Sequence, residues 1–145
     1  MSVFQLLYVS AAAKGVDQAE IEAILASARA RNAAQNVTGM LLYADRSFLQ
    51  VLEGVQADVE AIFARIAKDP RHTGLSVLLE YNVPERNFRE WSMGFERLQA
   101  SDQAQMNAIF QINGGAIRQR MTPAQADQVM VFMRNSYNVT TRGQL

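Results

Sequence analysis

Three polar side chains stand where the hydropathy pattern calls for apolar ones, and they are the first candidates for chemistry. Asn32 lies eleven positions after Ile21 in an amphipathic stretch. At ~100° per residue that leaves it about 20° from Ile21 around a helix axis, so it shares the apolar face. Gln50 has Phe48 and Leu52 two positions away on either side, and Tyr8 shares its alternation with Phe4 and Leu6. In an extended chain both side chains point with their apolar neighbours. A buried amide without partners costs roughly 1–3 kcal/mol, so something must satisfy these groups. One solution is internal, amide to amide or to backbone at strand ends. The other is a ligand with mixed donors and acceptors along one edge, which an amide suits because it offers C=O and NH2 together. Spacing alone leaves both open.

Other candidates carry less. Arg65, Lys68, Arg71 and His72 form a basic cluster. It reads either as a solvated helix end pairing with the dipole or as a phosphate contact. Trp91 and Met93 read most simply as core residues of a terminal strand. Gly39, Gly54 and Gly94 do not make a phosphate-cradling loop. Ser10 and Ser47 show no readable histidine–carboxylate partnership, so a hydrolase triad has little support. The sequence has no cysteine and a single histidine. That removes disulfides, thiol nucleophiles and Cys-ligated metals, and disfavours a histidine-based metal site.

These side chains need elements to position them. Val3–Ser10 reads as a strand and Asp17 as the N-cap of a helix reaching about Ala34, with Ile21, Ile24, Leu25 and Ala28 on one face. Val37–Tyr43 and Phe48–Glu53 form a hairpin through a polar turn at 44–47. A second helix covers about 56–68, with Val59, Ile62, Phe63 and Ile66 as its stripe, and Asp69-Pro70 stops it. Leu75–Tyr81 and Trp91–Phe95 complete the strands. The order βαββαβ plus one strand predicts an α+β fold of ferredoxin-like type, with two helices on one face of the sheet. Beyond Leu98, helices are expected from Ser101 and from Thr122-Pro123, with a loose tail over 139–145. The first strand looks buried on both faces, so the C-terminal helices are expected to cover the face opposite the first two, or a partner's sheet.

The 145 residues fit one domain, and 49% hydrophobic with 19% charged residues is ordinary for a globular protein. Fourteen basic residues balance fourteen acidic ones, which lacks the electrostatic footprint of a general nucleic-acid binder. No run approaches eighteen apolar residues and the N-terminus has no basic n-region, so neither a membrane span nor a signal peptide is expected and a cytoplasmic location is.

Taken in order, the quoted residues resemble a BLUF domain, a sensor of blue light using FAD. The likeness runs from about Val3 to Leu98. It is carried by Leu6-Leu7-Tyr8-Val9-Ser10, Asn32, Val37-Thr38-Gly39-Met40-Leu41-Leu42-Tyr43, Phe48-Leu49-Gln50-Val51-Leu52-Glu53-Gly54, Arg65, Arg71-His72, and Asn87-Phe88 through Trp91-Ser92-Met93. The resemblance implies a flavin held non-covalently between the two helices: FAD, with FMN or riboflavin as alternatives. By similarity Asn32 bonds the C4 carbonyl and N3–H edge, and Gln50 sits between Tyr8 and the N5/O4 edge. Ile24 and Ile66 sandwich the ring, and Arg65 and His72 approach the ribityl-phosphate end.

The implied mechanism is photochemical. Tyr8 gives an electron and a proton across Gln50, whose amide is left rotated or tautomerised. Either Trp91 or Met93 faces the pocket in the dark. Two positions depart from the common family pattern: Arg31 stands where many members carry Asn, and Ala28 where Ser is frequent. The expected organisation is a flavin domain over 1–98, a helical extension over 99–138 and a tail over 139–145. No effector domain is expected to follow, so output passes to a downstream protein or a second copy of the chain. The competing class is an enzyme on the same scaffold, a flavin-dependent oxidoreductase or an acylphosphatase-like hydrolase. The glycine-rich loop and facing arginine of the latter are not found, and no nicotinamide pocket is visible for the former.

Overall fold

The computed structural model describes residues 2–44, 46–88, 94–97, 124 and 127–133. Strands β1 (Val3–Ala12), β2 (Thr38–Ala44), β3 (Ser47–Gly54), β4 (His72–Val83) and β5 (Gly94–Arg97) form one sheet in the order β4-β1-β3-β2-β5. The first four pair antiparallel, and β5 joins the edge parallel to β2. This is the ferredoxin-like arrangement with an added strand.

Helix α1 (Gln18–Ala34) starts where the Asp17 carboxylate accepts the Glu20 N–H at 2.9 Å, so the expected cap is in place. It buries Ile21, Ile24, Ala28 and Asn32, the face that the spacing specified. Helix α2 (Gln56–Lys68) buries Val59, Ile62 and Ile66. Both pack on one side of the sheet, against Phe4, Leu6, Tyr8, Leu41, Phe48 and Leu52.

The other side is apolar as well. Leu7, Val9, Met40, Leu42, Leu49 and Val51 point there and meet Val129, Met130 and Met133 from helical residues 127–133. The two-sided burial of β1 is thus real, and a C-terminal helical stretch covers the second face. The helix expected from Ser101, the residues after 133 and the start of the last strand at Trp91 lie outside the described residues.

The strand boundaries differ from the sequence reading by one to three residues, most of all where β1 meets β4. β1 continues to Ala12 and β4 begins at His72 instead of Leu75, because Ala12 and His72 pair across the two strands. The turn between α2 and β4 is therefore only a few residues long. It is closed by Asp69, whose carboxylate accepts the Arg71 N–H at 2.9 Å in an Asx turn around Pro70. The β1–β4 register slips between Leu7 and Tyr8, where Leu78 is passed over. A bulge of this kind re-aims side chains. Leu78 and Leu79 both end in the core opposite the helices, while Tyr8 stays on the helix side.

Candidate functional site

Between α1, α2 and the sheet lies a narrow cleft lined by residues of all three. Its floor is the sheet: Tyr8 on β1, Leu41 on β2 and Gln50 on β3. Tyr8 and Gln50 are direct register partners, and the Tyr8 hydroxyl donates to Gln50 Oε1. The Phe63 ring meets the Tyr8 ring edge-on at 5.4 Å. Burial drives the Tyr8 pKa well above that of an ordinary phenol; the Arg31 charge pulls it down in part and Asp69 pushes it up. The phenol is therefore neutral near pH 7 and keeps its proton in the bond to Gln50.

The walls come from the helices. Ile24 and Ile66 reach the cleft from α1 and α2, and Ala28 adds little bulk to the α1 side. Arg31 follows Ile24 and Ala28 at helical spacing and also lines the cleft. Its Nε is buried with no hydrogen-bond acceptor among the described residues. Desolvation is the main influence lowering its pKa, opposed by Tyr8 and reinforced by Arg65.

The far end is built by the α2–β4 turn. Arg71 forks onto Asp69, with Nη2 at 2.7 Å and Nε at 3.0 and 3.1 Å from the carboxylate oxygens. The Arg71 hydrogen bond is the chief reason that the Asp69 carboxyl titrates below its usual range. His72 places Nδ1 2.9 Å from Ser10 Oγ and packs its ring 4.9 Å from that of Phe48. Burial lowers its pKa, Asp69 raises it, and Arg71 and Arg31 lower it further. The neutral ring is thus favoured, and His72 is set apart from a solvated cluster by its burial.

The cleft brings together Tyr8, Ile24, Gln50, Ile66 and His72 of the residues expected from sequence. Asn32 is fully buried one helical turn after Ala28 but is not among the residues lining the cleft. Arg65 is exposed beside Ile66 and outside the lining, its charge felt by Arg31. Trp91 and Met93 lie outside the described residues. Sequence reasoning missed the Asp69–Arg71 fork, having read Asp69-Pro70 only as a helix stop. The Asp-Pro-Arg spacing that allows an Asx turn was the available signal. Among the described residues no group of three His, Asp or Glu side chains could hold a metal, and no helix is long and apolar enough to cross a membrane.

The donor set fits a flat heteroaromatic ligand. Aliphatic side chains approach from two helices, an amide and a phenol sit at the sheet, and an unpartnered guanidinium N–H lies at one side. By fold this is a ferredoxin-like α+β domain with a cleft between its two helices and the sheet. The sequence model of the family described as sensors of blue-light using FAD matches residues 3–94, and the chain belongs to this BLUF family. The chain is 36% identical over 89 residues to a photoactivated adenylate cyclase subunit beta of Euglena gracilis, a match covering 61% of this chain and 10% of that protein. It therefore spans about a tenth of the length of such curated relatives. Among solved structures, BlsA in its photo-activated state superposes with a TM-score of 0.75 at 26% identity, covering 93% of this chain and 94% of that one. The dark state of BlrB, a BLUF protein, shares the fold with a TM-score of 0.75 at 24% identity, covering 93% and 97%.

Proposed function

We propose that this chain is a blue-light photoreceptor that holds FAD non-covalently in the cleft between α1 and α2 and signals by a hydrogen-bond switch at Gln50. FMN and riboflavin are the alternative occupants. The direct bond from Tyr8 to Gln50, on the floor of a cleft walled by Ile24 and Ile66, carries this reading. When bound, the flavin supplies the absorption of blue light and an electron acceptor. The protein supplies the rest. Tyr8 holds a proton at Oη, shared with Gln50. Gln50 presents two nearly isosteric ends of opposite hydrogen-bond sense, so a half-turn of its amide changes which end faces Tyr8. Ile24 and Ile66 hold the ring plane, Asn32 its polar edge, and Arg65 and His72 its ribityl-phosphate side. Trp91 or Met93 completes the pocket.

In this reading the chain performs no catalysis itself. Residues 1–98 are the sensor, 99–138 a helical extension on the opposite face and 139–145 a tail. A downstream protein, or a second copy of the chain in a homo-oligomer, receives the output in the cytoplasm. The relative named as a photoactivated adenylate cyclase gives one precedent for light acting through an attached enzyme. The test is direct titration of apoprotein with FAD, FMN and riboflavin, followed by fluorescence. Saturable binding of one flavin per chain is expected. Failure of all three to bind overturns the reading in favour of a flavin-free ligand module.

A further inference from the structure

Gln50 and Glu53 are three residues apart on β3 and so face opposite sides of the sheet. Gln50 looks toward the helices with Tyr8; Glu53 looks the other way, register-paired with Gln5 on β1. Glu53 is fully buried, and its carboxylate accepts from several donors among the described residues. Gln5 Nε2 donates to Oε2 at 2.8 Å, and the Asn87 side chain to the same oxygen at 3.3 Å. The Asn87 backbone N–H lies 2.9 Å from both oxygens, and the Phe88 N–H 2.8 Å from Oε1. A strand side chain thus grips the backbone of the segment joining β4 to β5.

The same segment has a second hold. Arg86 donates through Nη1 to Thr38 Oγ1 at 3.0 Å and to the Glu53 carbonyl at 3.3 Å, and through Nη2 to the Asn36 carbonyl at 2.8 Å. Asn36 is the left-handed residue (φ 55°) that turns the chain from α1 into β2. Gly54 lets this turn lie close against β3, since a Cβ there would stand 3.2 Å from Val37 Cγ2. The 86–88 segment is therefore bonded to β3, which carries Gln50, and to the turn that follows α1, the helix that carries Asn32. On its far side Phe88 is buried in one apolar cluster with Val129 and Met133, and β5 follows in the chain. None of Glu53, Arg86, Asn87 or Phe88 lines the flavin cleft.

We propose that Glu53, with Arg86, is the positioning clasp through which a rearrangement on the Gln50 face of β3 reaches β5 and helical residues 127–133. The proposal rests on the switch reading of Gln50. A carboxylate accepts at both oxygens, whereas alanine accepts nothing, so Glu53→Ala severs the segment from β3. Glu53→Gln keeps one oxygen for the Asn87 and Phe88 N–H groups. Its new NH2 finds an acceptor if Gln5 turns over, because Gln5 Oε1 is buried with no partner among the described residues. The conservative variant should therefore restore what alanine removes. Arg86→Ala breaks the second hold at a partly exposed site and serves if Glu53→Ala does not fold.

The experiment compares light and dark hydrogen exchange at 94–97 and 127–133 in the flavin-loaded full chain, with absorption spectra recorded in parallel. Wild type and Glu53→Gln should show a light-dependent change in exchange. Glu53→Ala and Arg86→Ala should lose most of it, by at least fivefold, while keeping the light-induced spectral shift. A normal shift with undiminished exchange differences in both variants overturns the clasp, as does a wild type that shifts normally with no exchange difference at all. A wild type that binds flavin but shows no spectral shift instead overturns the switch at Gln50, and the clasp's role with it.

Discussion

Tyr8 and Gln50 face each other as register partners on β1 and β3, and the phenol donates its proton to the amide carbonyl. This bond presents the Gln50 carbonyl to the phenol. Turning the amide over would bring its NH2 against the phenol, donor to donor, unless the phenol oxygen accepts instead. The two orientations differ in hydrogen bonds and hardly in shape. The pair sits beside the β1–β4 bulge; Tyr8 faces the helices by the unbroken alternation of β1, while the neighbouring Leu7 serves the opposite core.

Asn32→Ala should chiefly weaken flavin binding. Asn32 is fully buried on the face of α1 that carries Ile24 and Ala28. Removing an amide that meets a polar ligand edge costs roughly 1–3 kcal/mol, or about 5- to 150-fold in affinity. Titration of apoprotein with FAD reads this directly; equal affinities for variant and wild type would remove Asn32 from the site.

Stability should fall as the pH drops below neutrality, and His72 should be a main cause. Its pKa in the folded chain is depressed, chiefly by burial, below the ordinary histidine value. The folded state thus favours the neutral ring. This contribution is fully present above pH ~6.5 and is lost as pH falls from there toward the folded pKa, with a slope of up to about 1.4 kcal/mol per unit. Asp69, also depressed, mainly through its bond to Arg71, adds a separate loss only at and below pH ~4. Urea unfolding of flavin-free protein between pH 7.5 and 5 should show the first slope in wild type and a much flatter line in His72→Gln. Parallel lines would exclude His72 as the source.

Met133→Ala tests the cover on the second face. Met133 is fully buried with Leu7, Leu49 and Val51. Truncating such a residue costs about 2–5 kcal/mol. A matching drop in the urea midpoint is expected, and a change under about 0.5 kcal/mol would mean that residues 127–133 do not cover the sheet in solution.

Helical spacing was enough to place Asn32 inward, because one face of α1 is continuous from Ile21 to Asn32. Alternation assigned Tyr8 and Gln50 to buried faces. Their pairing was another matter: the register of β1 on β3 is set across a long connection, and local pattern carries no record of it. His72 was read with Arg65, Lys68 and Arg71 as the end of a helix. Its partners Ser10 and Phe48 lie more than twenty residues away, and the Asx turn that brings it into β4 depends on Asp69, whose neighbour Pro70 suggested only a stop. Nothing local marks the role of Glu53, since its donors Asn87 and Phe88 come from a segment with no regular structure. Trp91 and Met93 lie outside the described residues.

The most direct test of the central claim is the blue-light-minus-dark absorption difference spectrum of the flavin-loaded protein, recorded for wild type, Tyr8→Phe and Gln50→Leu at matched flavin occupancy. Wild type should show a small red shift that reverses fully in the dark. Both variants should retain flavin and show no shift, because one lacks the phenolic proton and the other the amide that exchanges hydrogen-bond sense. A wild-type-like reversible shift in either variant would contradict the account.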